Sequence, residues 1–135
     1  MRLRLPAALV LALAGAISIS CGGIVDPSKN TVETFSGTVQ PGGAVAHRFS
    51  ASKTGEIAIK VLTLSPVSSA FIGVQWVQGS SDGNCSGGLL QNNQFATANL
   101  TAVSGQIISG NYCVVMYDPV GYSQPENYSI TVSHP

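Results

Sequence analysis

From Val32 onward the chain sustains no apolar stripe at helical spacing. It runs instead in short apolar stretches that alternate with a period of two and break at Gly, Pro, Ser and Asn. Side chains of an extended strand point to opposite faces in turn, so this pattern restricts the chain to strands that each bury one face. Phe35, Gly37 and Val39 share a face within Thr34 to Val39, and Gln40-Pro41-Gly42-Gly43 then turns the chain. Val45, His47 and Phe49 face one way in Ala44 to Ser50, with Ala46 and Arg48 opposite. Ile57, Ile59 and Val61 alternate with Ala58 and Lys60 between Glu56 and Leu64, and Phe71 to Gln78 sets Ile72, Val74 and Trp76 against Gly73 and Gln75.

Gly79 to Gly88 reads as a long polar turn carrying Cys85. Leu89 to Leu100 predicts one or two short edge strands, around Leu90 and around Phe95 to Asn99. Tyr112 to Tyr117 is apolar on both faces and so belongs in the middle of a sheet. Pro119 to Pro125 makes a loop, and Tyr128 to Val132 alternates cleanly. About eight short strands with turn signals at this spacing predict an all-β fold, an antiparallel sandwich of jelly-roll type. It would occupy residues 32–135 as one domain.

The chain ahead of the strands has a different character. Arg2 and Arg4 precede an apolar run from Leu5 to Ile19, and the small residues Ser18 and Ser20 flank Ile19 just before Cys21. The run is short of the roughly 20 apolar residues a permanent span needs, and Pro6 and Gly15 interrupt it. Residues 1–20 therefore read as an export signal, and residues 21–31 as a tether without periodicity. The arrangement resembles a bacterial lipoprotein signal, in which Cys21 would carry lipid as the first mature residue. The usual Leu three places before the cysteine is Ser18 here. The same Ser-x-Ser spacing suits ordinary signal peptidase, so release as a secreted soluble chain stands as the alternative.

Three cysteines fit an exported chain: Cys85 and Cys113 are expected to pair in an oxidising compartment, leaving Cys21 for lipidation. Six Lys and Arg balance six Asp and Glu, and without Arg2 and Arg4 the mature part has four bases against six acids. Lys29, Arg48, Lys53 and Lys60 are scattered, which argues against nucleic acid as a partner.

The segments Phe35-Ser36-Gly37-Thr38-Val39, His47-Arg48-Phe49, Gly55-Glu56-Ile57, Gly110-Asn111-Tyr112-Cys113-Val114-Val115 and Asn127-Tyr128-Ser129-Ile130-Thr131-Val132 together carry a resemblance. Their order and spacing look like the bacterial pre-peptidase C-terminal domain, a small β-sandwich often attached to secreted peptidases. The resemblance spans nearly all of Val32 to His134. It implies a role in export or in contact with substrates, including insoluble polymers such as collagen or chitin. Some relatives bind calcium near the domain start, where this chain offers only Asp26 and Glu33.

Catalysis would require a nucleophile beside a base, paired carboxylates or a metal cluster. His47 alternates with Val45 and Phe49 and reads as a packed, hydrogen-bonded residue; His134 stands next to the C-terminus, where chains are commonly poorly held. No serine stands in a Gly-x-Ser-x-Gly elbow. Asp82-Gly83-Asn84 and Asp118 suit turn hydrogen bonding better than metal ligation. No enzyme, metal or cofactor is expected. Trp76 shares its face with Ile72 and Val74 and belongs to the core, as do Tyr112 and Tyr128. Tyr122, between Gly121 and Ser123 in a loop with no evident core demand, is the candidate ligand-contacting residue, with loop packing as its other reading. The expectation is a lipid-anchored envelope module that binds a polysaccharide or protein, or else an accessory protein that contacts an envelope partner through a sheet face or edge.

Overall fold

The computed structural model describes residues 26–135; Cys21, the export segment and most of the tether lie outside the described residues. Asp26 accepts hydrogen bonds from the amide and hydroxyl of Ser28 and caps a single 3₁₀ turn at Pro27–Lys29. Eight strands follow: β1 (Thr31–Val39), β2 (Ala44–Ala51), β3 (Gly55–Ser65), β4 (Ile72–Gln78), β5 (Leu89–Ala96), β6 (Thr101–Ile107), β7 (Gly110–Tyr117) and β8 (Glu126–His134).

They form two four-stranded sheets ordered β1-β8-β3-β6 and β2-β7-β4-β5, with every pairing antiparallel. Strands 1 with 8, 2 with 7, 3 with 6 and 4 with 5 pair like the two arms of one long hairpin. The further pairings β8 with β3 and β7 with β4 roll that ribbon into two layers, which is the jelly-roll order. The predicted fold class is the observed one.

The core lies between the sheets. Ile57, Ile59 and Val61 from β3, Tyr128, Ile130 and Val132 from β8, Val74 and Trp76 from β4, and Val114 and Met116 from β7 are all buried. A bulge between Val61 and Thr63 shifts the alternation of β3 so that Leu64 also turns inward. Strand β7 is central as expected, and its outward Cys113 is covered as well. That cover is the Gly79 to Gly88 loop, stitched down by the Cys85–Cys113 disulfide across 28 residues of sequence.

Two expectations need correction. Of the one or two edge strands expected over Leu89 to Leu100, one forms: β5 takes in Leu90 and Phe95 and ends at Ala96, the chain turns through Asn99 at φ 67°, and β6 follows where the sequence showed no strand. The inward row of β6 is Val103, Gly105 and Ile107, and the glycine removes the middle of the alternation. A Cβ at Gly105 would stand 3.2 Å from the Gln91 side-chain nitrogen and 3.7 Å from the Trp76 ring, so the gap in pattern lies where β5 and β4 side chains pack across. The Gln and Asn of edge strand β5 also have a specific use. Gln91 donates to the Ser104 carbonyl at 3.0 Å and Asn93 to the Ala102 carbonyl at 2.9 Å, covering acceptors of the open β6 edge with side chains from the other sheet.

The second correction concerns the C-terminus. Strand β8 continues to His134, paired with Thr31, and the Pro135 carbonyl accepts a hydrogen bond from the Ser52 amide. His134 is buried, its Nε2 is 2.7 Å from Glu33 Oε1, and its ring packs against Phe49. Pairing, burial and these contacts hold the segment in place.

Candidate functional site

Antiparallel pairing gathers the loops at two opposite ends of the sandwich. One end holds chain entry at Thr31, the 52–54 and 108–109 turns and the disulfide loop at 79–88; the other holds loops 40–43, 66–71, 97–100 and 118–125. Tyr122 is in the second group, so the disulfide secures the end away from it.

Asp118, at the C-terminal edge of β7, organises the Tyr122 loop. Its carboxylate accepts amide hydrogen bonds from Gly42, Val120, Gly121 and Tyr122 at 2.6–3.0 Å. Desolvation opposes the charge, but the amides of Gly42, Tyr122, Val120 and Gly121 prevail and hold the carboxyl below its ordinary value. The strand-end role read from the sequence is thus the observed one. Asp82 plays a similar part at the opposite end, bonding the Ser80 hydroxyl and both the amide and side chain of Asn84.

The loop so fixed lays Tyr122 against the 66–71 segment, where its hydroxyl donates to the Phe71 carbonyl at 2.6 Å. Burial, with Asp118 and then Glu126 adding negative charge nearby, pushes the phenol up to about 12. The loop-packing reading of Tyr122 is the one its bond to Phe71 realises. The hydroxyl packs the loop, and the half-buried ring forms a wall of a cleft of about 240 Å³ with Val67, Phe71, Val120 and Glu126. Phe71, Val67 and Val120 are exposed, and Phe95 stands edge-on to Phe71 with ring centroids 5.5 Å apart. The cleft is thus walled by aromatic and aliphatic groups.

Its floor holds a residue the sequence reading did not single out. Glu126 opens β8 on the inward row that continues through Tyr128, Ile130, Val132 and His134, and it is only 2% exposed. The Val67 amide sits between its two carboxylate oxygens, at 3.2 and 3.4 Å. Extending the Tyr128-Ile130-Val132 alternation two residues in each direction would have flagged both Glu126 and His134 as inward-facing.

The remaining candidates are structural. His47 stacks on Phe35 at 4.9 Å and its Nε2 is 2.7 Å from the Tyr128 hydroxyl; burial keeps its pKa below the ordinary value. Trp76 is buried as expected, although its indole N–H has no hydrogen-bond partner among the described residues. Asp26 and Glu33 are engaged with Ser28 and His134, and no group of three or more His, Cys, Asp or Glu gathers among the described residues. Other clefts lie at Arg48 and the disulfide loop and on the outer face around Glu56 and Ser104.

What fold and cleft define is a jelly-roll β-sandwich with an aromatic end-cleft. Among solved structures, the crystal structure of a Yersinia pseudotuberculosis-derived mitogen is similar, at a TM-score of 0.55 and 15% identity over 78% of this chain and 87% of that one. This likeness concerns the fold. No family model and no curated protein matches the chain.

Proposed function

We propose that the protein is a non-enzymatic module of the bacterial cell envelope, exported, anchored to lipid through Cys21, and binding a polymer or protein ligand at the Tyr122 cleft. The observation that carries this reading is the cleft itself: exposed rings and aliphatic side chains held open by a rigid scaffold, at the end of the sandwich away from chain entry. Flat rings supply contact area at low entropic cost, which suits recognition of a sugar or a peptide. The position of Thr31 supports the anchoring model, because a nine-residue strand of roughly 30 Å separates chain entry from the cleft end. A domain tethered at its entry end would present the cleft outward. The disulfide agrees with an oxidising compartment, and a sandwich is the architecture that resemblance to pre-peptidase C-terminal domains implies.

Retention of the mature domain on collagen and insoluble polysaccharide tests this reading. Binding to one matrix, at least tenfold weaker for Tyr122→Ala, is the expected result; equal retention of parent and variant, or none, would reject the cleft. A second reading is favoured by edge strand β5, which exposes Leu89, Leu90 and Phe95 beside an unpaired backbone edge. An accessory protein would use that edge, and crosslinking in the native envelope would then yield one protein partner.

A further inference from the structure

The geometry points to a lysine side chain, presented by a peptide or protein, as the group the end-cleft receives, with Glu126 as its anion. This rests on the binding reading above and gives it a chemistry. Glu126 occupies a core-facing position where alternation calls for an apolar side chain. Burying a carboxylate there is costly, and a single shared amide compensates only part of the cost. A carboxylate can accept about four hydrogen bonds, so capacity remains on Glu126, which lines the cleft. No lysine or arginine lines the cleft, and Asp118 beneath the same loop adds negative charge. The site therefore favours a cation.

Its walls narrow the choice. Val67, Phe71, Val120 and Tyr122 offer an apolar passage above the carboxylate, matching a long methylene stem that ends in a charge. Aromatic rings beside such a path also attract a cation. The volume of about 240 Å³ lies below the range of roughly 300–1,000 Å³ for free small-molecule ligands and suits one inserted side chain. Lysine is preferred to arginine because the Val67 amide already lies between the two oxygens. That is the fork position a guanidinium needs for two parallel bonds, whereas an ammonium needs a single lone pair.

Titration of the disulfide-bonded domain with four short peptides tests the assignment. They carry one central lysine, norleucine, Nζ-acetyl-lysine or arginine, and backbone amide NMR shifts report binding. The lysine peptide should shift Val67, Phe71, Tyr122 and Glu126 saturably, with norleucine and acetyl-lysine at least tenfold weaker and arginine weaker than lysine. In Glu126→Gln the preference for lysine over norleucine should vanish. Norleucine or acetyl-lysine binding as tightly as lysine, saturable shifts confined to other residues, or no saturable shift would overturn the proposal. The peptide replacements use the parent chain, so the test stands even if Glu126→Gln fails to fold. Matrix retention that depends on Tyr122 while norleucine equals lysine would remove the cation and keep the binding end; loss of all retention would remove both.

Discussion

The inward row of β8 ends in a titratable residue at each extreme, and the two are treated differently. At the entry end His134 is packed on Phe49 with Glu33 2.7 Å from its Nε2, inside a ladder continued by Thr31 and closed by the bond from Ser52 to Pro135. At the cleft end Glu126 has one shared amide beneath an open groove. A buried polar group with its partners in place contributes to the fold, whereas one left short of partners costs stability. The entry end is closed on its partners, and the cleft end is left open.

The largest effect that would sharpen this contrast is covalent. Replacing Cys85 and Cys113 together by alanine should cost about 3–4 kcal/mol in equilibrium unfolding, by the entropy of a loop of this length, while ligand retention under native conditions persists. Retention lost in a folded double variant would break the separation of the ends. A smaller effect is expected at the cleft. Tyr122→Phe removes the bond to the Phe71 carbonyl at a site water can reach, costing about 1 kcal/mol and leaving most of the ring wall intact, as denaturant titration beside matrix retention would show.

The smallest effects are those of pH. Burial lowers the pKa of His47, so the folded state takes up its proton later than the unfolded chain. Stability should be full above the unfolded value of 6.5 and decline as pH falls below it, and His47→Gln should flatten that acid limb. Tyr122 and Tyr128 are raised from 10.0 to about 12, so their contribution is present below 10 and lost as pH rises towards 12. Phenolate absorbance should show a late step that shrinks in Tyr128→Phe and in Tyr122→Phe. A limb unchanged by its own substitution would contradict the assignment.

How much of this was legible in the sequence follows from what alternation can encode. The β3, β4 and β7 segments were readable because their inward rows are continuous and strongly apolar. Strand β6 was not, because Gly105 breaks its inward row, and the groups nearest that gap, Gln91 and Trp76, come from the other sheet. Strand β5 blurred because an edge strand exposed on both faces has little burial pattern. The roles of Asp118 and Cys85–Cys113 were readable from local chemistry. Glu126 and His134 were hidden because polar residues at the ends of an apolar row look like loop, and finding them needs the alternation carried past that row to the pairings with Val39 and Thr31.

Equilibrium unfolding of Glu126→Gln and His134→Gln beside the parent tests the central contrast most directly. His134→Gln should be less stable by about 1–2 kcal/mol, since it disturbs a packed and bonded group. Glu126→Gln should match or exceed the parent, because the amide keeps an acceptor for Val67 and removes a buried carboxylate. A Glu126→Gln chain destabilised as much as His134→Gln would show that both ends serve the fold alike, and the account would fail.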